Sequence, residues 1–211
     1  MRVAEAMLET ETSFFRDTHP FEALQTFVLP LLLKKRSGNR TLNLWCAACS
    51  SGQEPYSIAM LLRQHFPIFT GPTVHFLASD ISAEMLSRAG VGRYSQHEVT
   101  RGLPPALLRR YFQQQGSEWQ IQDDIRRTID FRQIDLAGEW PPLPVMDIIF
   151  MRNVLIYFDI PTRKAILTKV RDVLSPDGYL FLGAGETAVT LDDIFQPVRL
   201  DKTVCYKLRQ D

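Results

Sequence analysis

Residues 42–57 read Leu42-Asn43-Leu44-Trp45-Cys46-Ala47-Ala48-Cys49-Ser50-Ser51-Gly52-Gln53-Glu54-Pro55-Tyr56-Ser57, an apolar run that ends in small residues and passes into a helical pattern. About thirty residues later Val74-His75-Phe76-Leu77-Ala78-Ser79-Asp80 is a second apolar run, and it ends in an acid. An α/β fold builds a nucleoside pocket in this way. Small side chains after the first strand let a ligand approach the backbone, and a carboxylate closing the second strand accepts hydrogen bonds from ribose hydroxyls.

Two ligands compete for such a pocket, a dinucleotide and S-adenosylmethionine. A dinucleotide needs glycines where its pyrophosphate meets the helix N-terminus, because a Cβ there blocks the approach. Only Gly52 is available, and Glu54 at the helix start would repel phosphate. An aminoacyl sulfonium carries an ammonium and no phosphate, so an acid at 54 suits it. Standing alone, Glu54 also reads as a first-turn acid complementing the helix dipole, and Asp80 as a turn residue.

Cys46 and Cys49 have C-x-x-C spacing, with Cys205 alone as the third cysteine. An odd count and the absence of a second pair argue against a disulfide framework and against zinc. Small-residue packing at a strand end is the simpler reading. His19, His65, His75 and His97 are scattered without ligand spacing, so no metal is expected.

The positioning elements alternate. Strand-length apolar runs at 42–46, 73–79, 147–151, 179–182 and 203–207 are separated by helical patterns at 20–36, 54–66, from Ser82 to near Gly90, and 161–174. This predicts a mostly parallel sheet covered on both faces. Between about 91 and 133 the rhythm changes. A short helix over 103–112 precedes Trp119-Gln120-Ile121-Gln122 and Thr128-Ile129-Asp130-Phe131-Arg132, whose period-two alternation predicts an antiparallel pair in a small insertion. The chain of 211 residues is enough for one such domain. Lys+Arg and Asp+Glu are both 24, so a polyanionic partner gathered by bulk charge is not expected. Trp140-Pro141-Pro142-Leu143 lacks the polar head of the motif with which enzymes extrude a base, which also argues against nucleic acid. No export signal and no run near the roughly 20 apolar residues of a membrane span are present, so a cytoplasmic monomer with no membrane insertion is expected.

Glu11-Thr12-Ser13-Phe14-Phe15-Arg16-Asp17, Ser51-Gly52-Gln53-Glu54-Pro55-Tyr56-Ser57, Ala78-Ser79-Asp80-Ile81 and Phe150-Met151-Arg152-Asn153-Val154-Leu155-Ile156-Tyr157-Phe158 stand in this order. From about residue 10 onward the chain resembles the CheR-type chemotaxis receptor methyltransferases. The resemblance implies a Rossmann-like class I S-adenosylmethionine-dependent methyltransferase fold. Its sheet would have seven strands with the last antiparallel, helices on both faces and a small inserted antiparallel β-subdomain. It divides the chain into residues 1–36, a linker and helix carrying the motif, and 37–211, the methyltransferase domain with the insertion at about 91–133.

The implied activity is transfer of a methyl group to glutamate side chains on the cytoplasmic helical domain of chemoreceptors, giving glutamate methyl esters and S-adenosylhomocysteine. By motif, Thr12, Arg16, Glu54, Asp80, Asp135, Leu136, Arg152 and Asn153 would line the cofactor pocket, with Thr10, Ala47 and Ile81 beside them. Asp135 stands where relatives often have Asn, and Thr10 where they have another polar residue.

In-line attack on a sulfonium methyl needs an ionised nucleophile held at about 3 Å and little else. A glutamate with a pKa near 4.3 is already ionised at neutral pH, so no general base is required. Arg16 can grip the substrate carboxylate through its planar fork, and Tyr157 can close the methyl-transfer end; these are the two expected catalytic residues. From residue type alone Arg16 reads as an interdomain salt bridge and Tyr157 as a core tyrosine. The resemblance moves both towards function.

Two departures shape the expectation. Relatives carry a helical domain before the segment with the Phe-Phe-Arg motif, whereas only about nine residues precede residue 10, where the resemblance begins here. Relatives that dock a receptor pentapeptide have a longer, glycine-bearing loop in the insertion, whereas Phe112-Gln113-Gln114-Gln115-Gly116-Ser117-Glu118-Trp119 is short. Recognition independent of a pentapeptide follows, with Arg93, Arg101, Arg109, Arg110, Arg126 and Arg127 as candidate receptor contacts. Two other readings stay open: a regulatory module that binds S-adenosylmethionine or S-adenosylhomocysteine, and a methyltransferase for another acceptor.

Overall fold

The computed structural model describes residues 12–35, 41–69, 73–188 and 193–209. It opens with α1 (His19–Ala23), a π-helical turn over Leu24–Val28 and α2 (Leu29–Lys35), which follow one another without a break. The predicted single helix over 20–36 is therefore interrupted, and its last residue, Arg36, lies outside the described residues. Pro30 stands at the junction; it has no N–H to donate and crowds the carbonyl four residues back, which an inserted residue relieves.

There follow β1 (Leu42–Ala47), α3 (Gln53–His65), β2 (Val74–Asp80) and α4 (Ala83–Val91), whose first turn is capped by Ser82 Oγ accepting from the Met85 N–H at 3.3 Å. The next elements are β3 (Arg93–Ser95), α5 (Gln96–Thr100), α6 (Pro105–Tyr111), β4 (Phe112–Gln115), β5 (Glu118–Ile121) and α7 (Asp123–Arg126). The chain ends through β6 (Ile129–Gln133), β7 (Met146–Met151), a 3-10 turn at Leu155–Tyr157, α8 (Ile160–Val173), β8 (Leu174–Leu182), β9 (Phe195–Leu200) and β10 (Thr203–Leu208).

Seven strands form one sheet in the order β6-β2-β1-β7-β8-β10-β9. The first five run parallel, and β10 lies antiparallel to both β8 and β9. This is the expected methyltransferase topology with its antiparallel last strand. Along β1, Leu42, Leu44 and Cys46 join one buried cluster, with Phe21, Leu24 and Ile58, while Trp45 and Ala47 join another, with Ile166 and Leu167 of α8. The alternation shows why the run is apolar throughout: helices cover both faces of the central strands.

One predicted pairing fails. Trp119–Gln122 and Thr128–Arg132 do not pair with each other. β5 is the middle strand of a separate three-stranded antiparallel sheet, β3-β5-β4, whereas β6 pairs in parallel with β2 at the edge of the main sheet. Period-two alternation marks a half-buried strand and is blind to its partner. The local signal was the two-residue turn Gly116-Ser117, which sets Gln115 opposite Glu118 and places Gly116 at φ 64°.

Candidate functional site

The strand order reverses between β1 and β7, and ligands of open α/β sheets bind outside the carboxyl ends of the strands at such a reversal. Register aligns those ends. Ala47 lies opposite Ser79, Asp80 opposite Gln133, and Cys46 opposite Phe150. The residues singled out from sequence therefore gather at the tips of four adjacent strands: Ala47 ending β1 and Glu54 beyond it, Asp80 ending β2 and Ile81 after it, Asp135 and Leu136 after β6, Arg152 and Asn153 after β7.

The turn after β1 is shaped by positive φ at Ala48 (58°), Ser50 (49°) and Gly52 (93°). It is tied to β2 by the Cys49 N–H donating to the Ser79 carbonyl at 2.8 Å and the Ser50 N–H donating to Asp80 Oδ2 at 2.8 Å. Asp80 Oδ1 accepts from the Ser82 N–H at 2.9 Å. Two backbone donors thus fix the carboxylate, and each oxygen keeps a lone pair for a further donor.

Glu54 sits in the first turn of α3, 9% exposed, and is gripped from two sides. Its Oε1 accepts from the Cys46 thiol at 3.0 Å and its Oε2 from Arg152 Nη1 at 2.7 Å. Arg152 Nη2 donates to Asp17 Oδ2 at 2.6 Å and to the Arg16 carbonyl at 3.0 Å. One buried guanidinium therefore joins the β1 turn, the β7 end and the Phe14-Phe15-Arg16-Asp17 segment. Its Nε is buried without an acceptor among the described residues. An unmade donor of that kind costs about 1–3 kcal/mol, which an acceptor carried by a ligand would relieve.

Burial pushes the Cys46 and Cys49 thiols well up, helped by the charge of Glu54 beside Cys46 and of Asp80 beside Cys49. They stay protonated and act as small core groups and donors, whereas redox and metal chemistry call for thiolate.

The remaining residues differ in their placement. Asp135 is exposed and its Oδ1 accepts from the Ala137 N–H at 2.9 Å. The Leu136 side chain lies in the second core cluster, and its carbonyl accepts from Lys169 Nζ at 2.6 Å. Ile81 is 37% exposed at the rim. Arg16 and Thr12 are both half-buried in the segment that precedes α1. Thr10 lies outside the described residues. Tyr157 is 43% exposed in the turn that follows Arg152 and Asn153, so it is no core tyrosine.

Sequence reasoning passed over Asp17 as a partner for Arg152, since the two are 135 residues apart. It also missed Glu186, which accepts from the backbone around Asn153. The available signal was an acid closely following the apolar run at 179–182, the same cue that marks Asp80.

A family model described as CheR methyltransferase, SAM binding domain, matches residues 10–204. Chemotaxis protein methyltransferase 1 of Pseudomonas aeruginosa is 41% identical over 211 residues, covering 98% of this chain and 77% of that protein. Chemotaxis protein methyltransferase Cher2 of Pseudomonas putida is 39% identical over 212 residues, with 99% and 77% covered. Among solved structures, DszA carbon methyltransferase superposes with a TM-score of 0.50 at 14% identity over 78% of this chain and 35% of that one, a likeness of fold.

Proposed function

Because the chain belongs to the CheR family of methyltransferases, we propose that it methylates glutamate side chains of chemoreceptors with S-adenosylmethionine as donor, using the site at the carboxyl ends of β1, β2, β6 and β7. The observation that carries the reading is the convergence there of Glu54, Asp80, Arg152 and Asn153, with the Arg16 backbone tied to Arg152.

When bound, the donor supplies a sulfonium methyl that a glutamate oxygen can take, leaving the bonding pair on sulphur and yielding the ester and S-adenosylhomocysteine. The chain's own residues bind and orient. Asp80, held by two backbone N–H groups, accepts from ribose hydroxyls. Glu54 faces the aminoacyl ammonium while Arg152 keeps it in place, and the Arg152 Nε–H and the Arg16 fork suit a carboxylate. Ile81, after β2, and Asp135, after β6, would line the nucleoside side of the pocket. Tyr157 closes the methyl-transfer end. The acceptor glutamate is ionised at neutral pH, so the catalytic contribution is positioning.

The two-residue turn between β4 and β5 supports recognition independent of a receptor pentapeptide. Of the six arginines considered for receptor contact, Arg126 and Arg127 pair with Asp123, and Arg93 with Glu118. Arg109 and Arg110 are exposed on the last turn of α6 and suit a glutamate-rich helix. With a receptor cytoplasmic fragment and labelled S-adenosylmethionine, the chain should deposit base-labile methyl esters. Arg109→Glu with Arg110→Glu should slow this by about tenfold and leave S-adenosylhomocysteine affinity unchanged. Equal loss of both would contradict the proposed receptor surface.

A further inference from the structure

The turn that carries Asn153 and Tyr157 has little packing to hold its outer half, because Ile156 is 47% and Tyr157 43% exposed. Hydrogen bonds do so instead. Glu186 Oε2 accepts from the N–H groups of Asn153 at 2.8 Å and Gly183 at 2.7 Å, and Oε1 from those of Val154 at 2.9 Å and Ile156 at 3.3 Å. One carboxylate thus collects four backbone donors.

Asn153 adopts φ 58°, a left-handed conformation that an asparagine keeps when its surroundings fix it. Gly183 is shaped to the same arrangement. A Cβ there would stand 2.7 Å from Asn153 Nδ2 and 2.8 Å from Glu186 Oε2. Arg163 of α8 takes two carbonyls of the turn, with Nε donating to Phe158 O at 2.7 Å and Nη2 to Ile156 O at 3.2 Å. The N–H groups of Asn153, Val154 and Ile156 thus go to an acid and the carbonyls of Ile156 and Phe158 to a guanidinium, while Tyr157 and Phe158 donate within the turn to the Val154 and Leu155 carbonyls.

We propose that Glu186 is a positioning residue for methyl transfer, which with Arg163 as its counterpart clamps the 153–158 turn and so fixes where Asn153 and Tyr157 stand. This rests on the roles given to those two residues above. Glu186→Gln tests it sharply, since it keeps one oxygen but turns an NH2 towards two backbone donors. Arg163→Met, which keeps an apolar stem and removes the donors, is the second variant and decides the question if the first does not fold.

The measurement is kcat and KM for a receptor fragment, per chain that binds S-adenosylhomocysteine. Glu186→Gln should lower kcat by about tenfold or more and Arg163→Met severalfold, each by a larger factor than it weakens S-adenosylhomocysteine binding. The double variant should lose less than the product of the two, as expected of groups acting on one segment. Wild-type kcat per binding-competent chain in these variants would overturn the inference and reduce the clamp to a folding role. A wild-type chain that binds the nucleoside but transfers no methyl would instead overturn the proposed function, and this inference with it.

Discussion

Arg152 is 5% exposed, and its guanidinium stands between a carboxylate that is almost as buried, Glu54, and one that is half in water, Asp17. The two pairs are unequal for that reason. Removing the guanidinium with Arg152→Met strands Glu54 as a buried, uncompensated charge, and urea unfolding should register a loss of about 3–5 kcal/mol. Asp17→Asn removes a partner that is 47% exposed and should cost about 1 kcal/mol or less. Near-equal losses in the two variants would mean that Arg152 is not the joint described above. At this scale the sequence showed Asp80 and Glu54 by their places after apolar runs. It left Arg152 as one more pocket residue, because a partner 98 or 135 residues away has no local signature. Glu186 was marked only by its place after an apolar run, and its role was not legible. It reads backbone N–H groups, which every sequence supplies.

Elements place these side chains through a few backbone constraints, and Gly52 is one of them. It sits at φ 93° where β1 turns into α3, and a Cβ would stand 2.9 Å from Ala89 Cβ and 3.1 Å from the Tyr94 hydroxyl. Tyr94 in turn donates to the Ser51 carbonyl at 2.7 Å, so the β3 strand packs onto this turn. Gly52→Ala should therefore lower stability by more than about 1 kcal/mol and weaken S-adenosylhomocysteine binding together. Loss of neither would show that the turn has room to spare. The cap at Ser82 was plain in the sequence because serine does a specific job there, whereas α3, read as 54–66, begins one residue earlier at Gln53. The partner of β5 was misassigned, since alternation carries no pairing information. The sequence reading also passed over β9. Its residues Phe195-Gln196-Pro197-Val198-Arg199-Leu200 mix charge and proline, which suits the outermost strand and hides it.

Over the whole molecule, five parallel strands with the reversal between β1 and β7 leave one end of the sheet where four turns converge. That architecture was legible because buried parallel strands need unbroken apolar runs and helices need a different period. What periodicity could not supply is how the Phe14–Asp17 segment returns to that end. The structure closes it through Phe14 in the main core cluster and the Arg152 contacts, which makes the N-terminal motif part of the site. The claim that this end of the sheet is a nucleoside pocket is tested most directly by isothermal titration with S-adenosylhomocysteine of the wild-type chain and of Asp80→Ala, with circular dichroism establishing that both are folded. The account predicts one site per wild-type chain and affinity at least about tenfold weaker in the variant. Equal affinity in a folded Asp80→Ala, or no binding by the wild type, would contradict it.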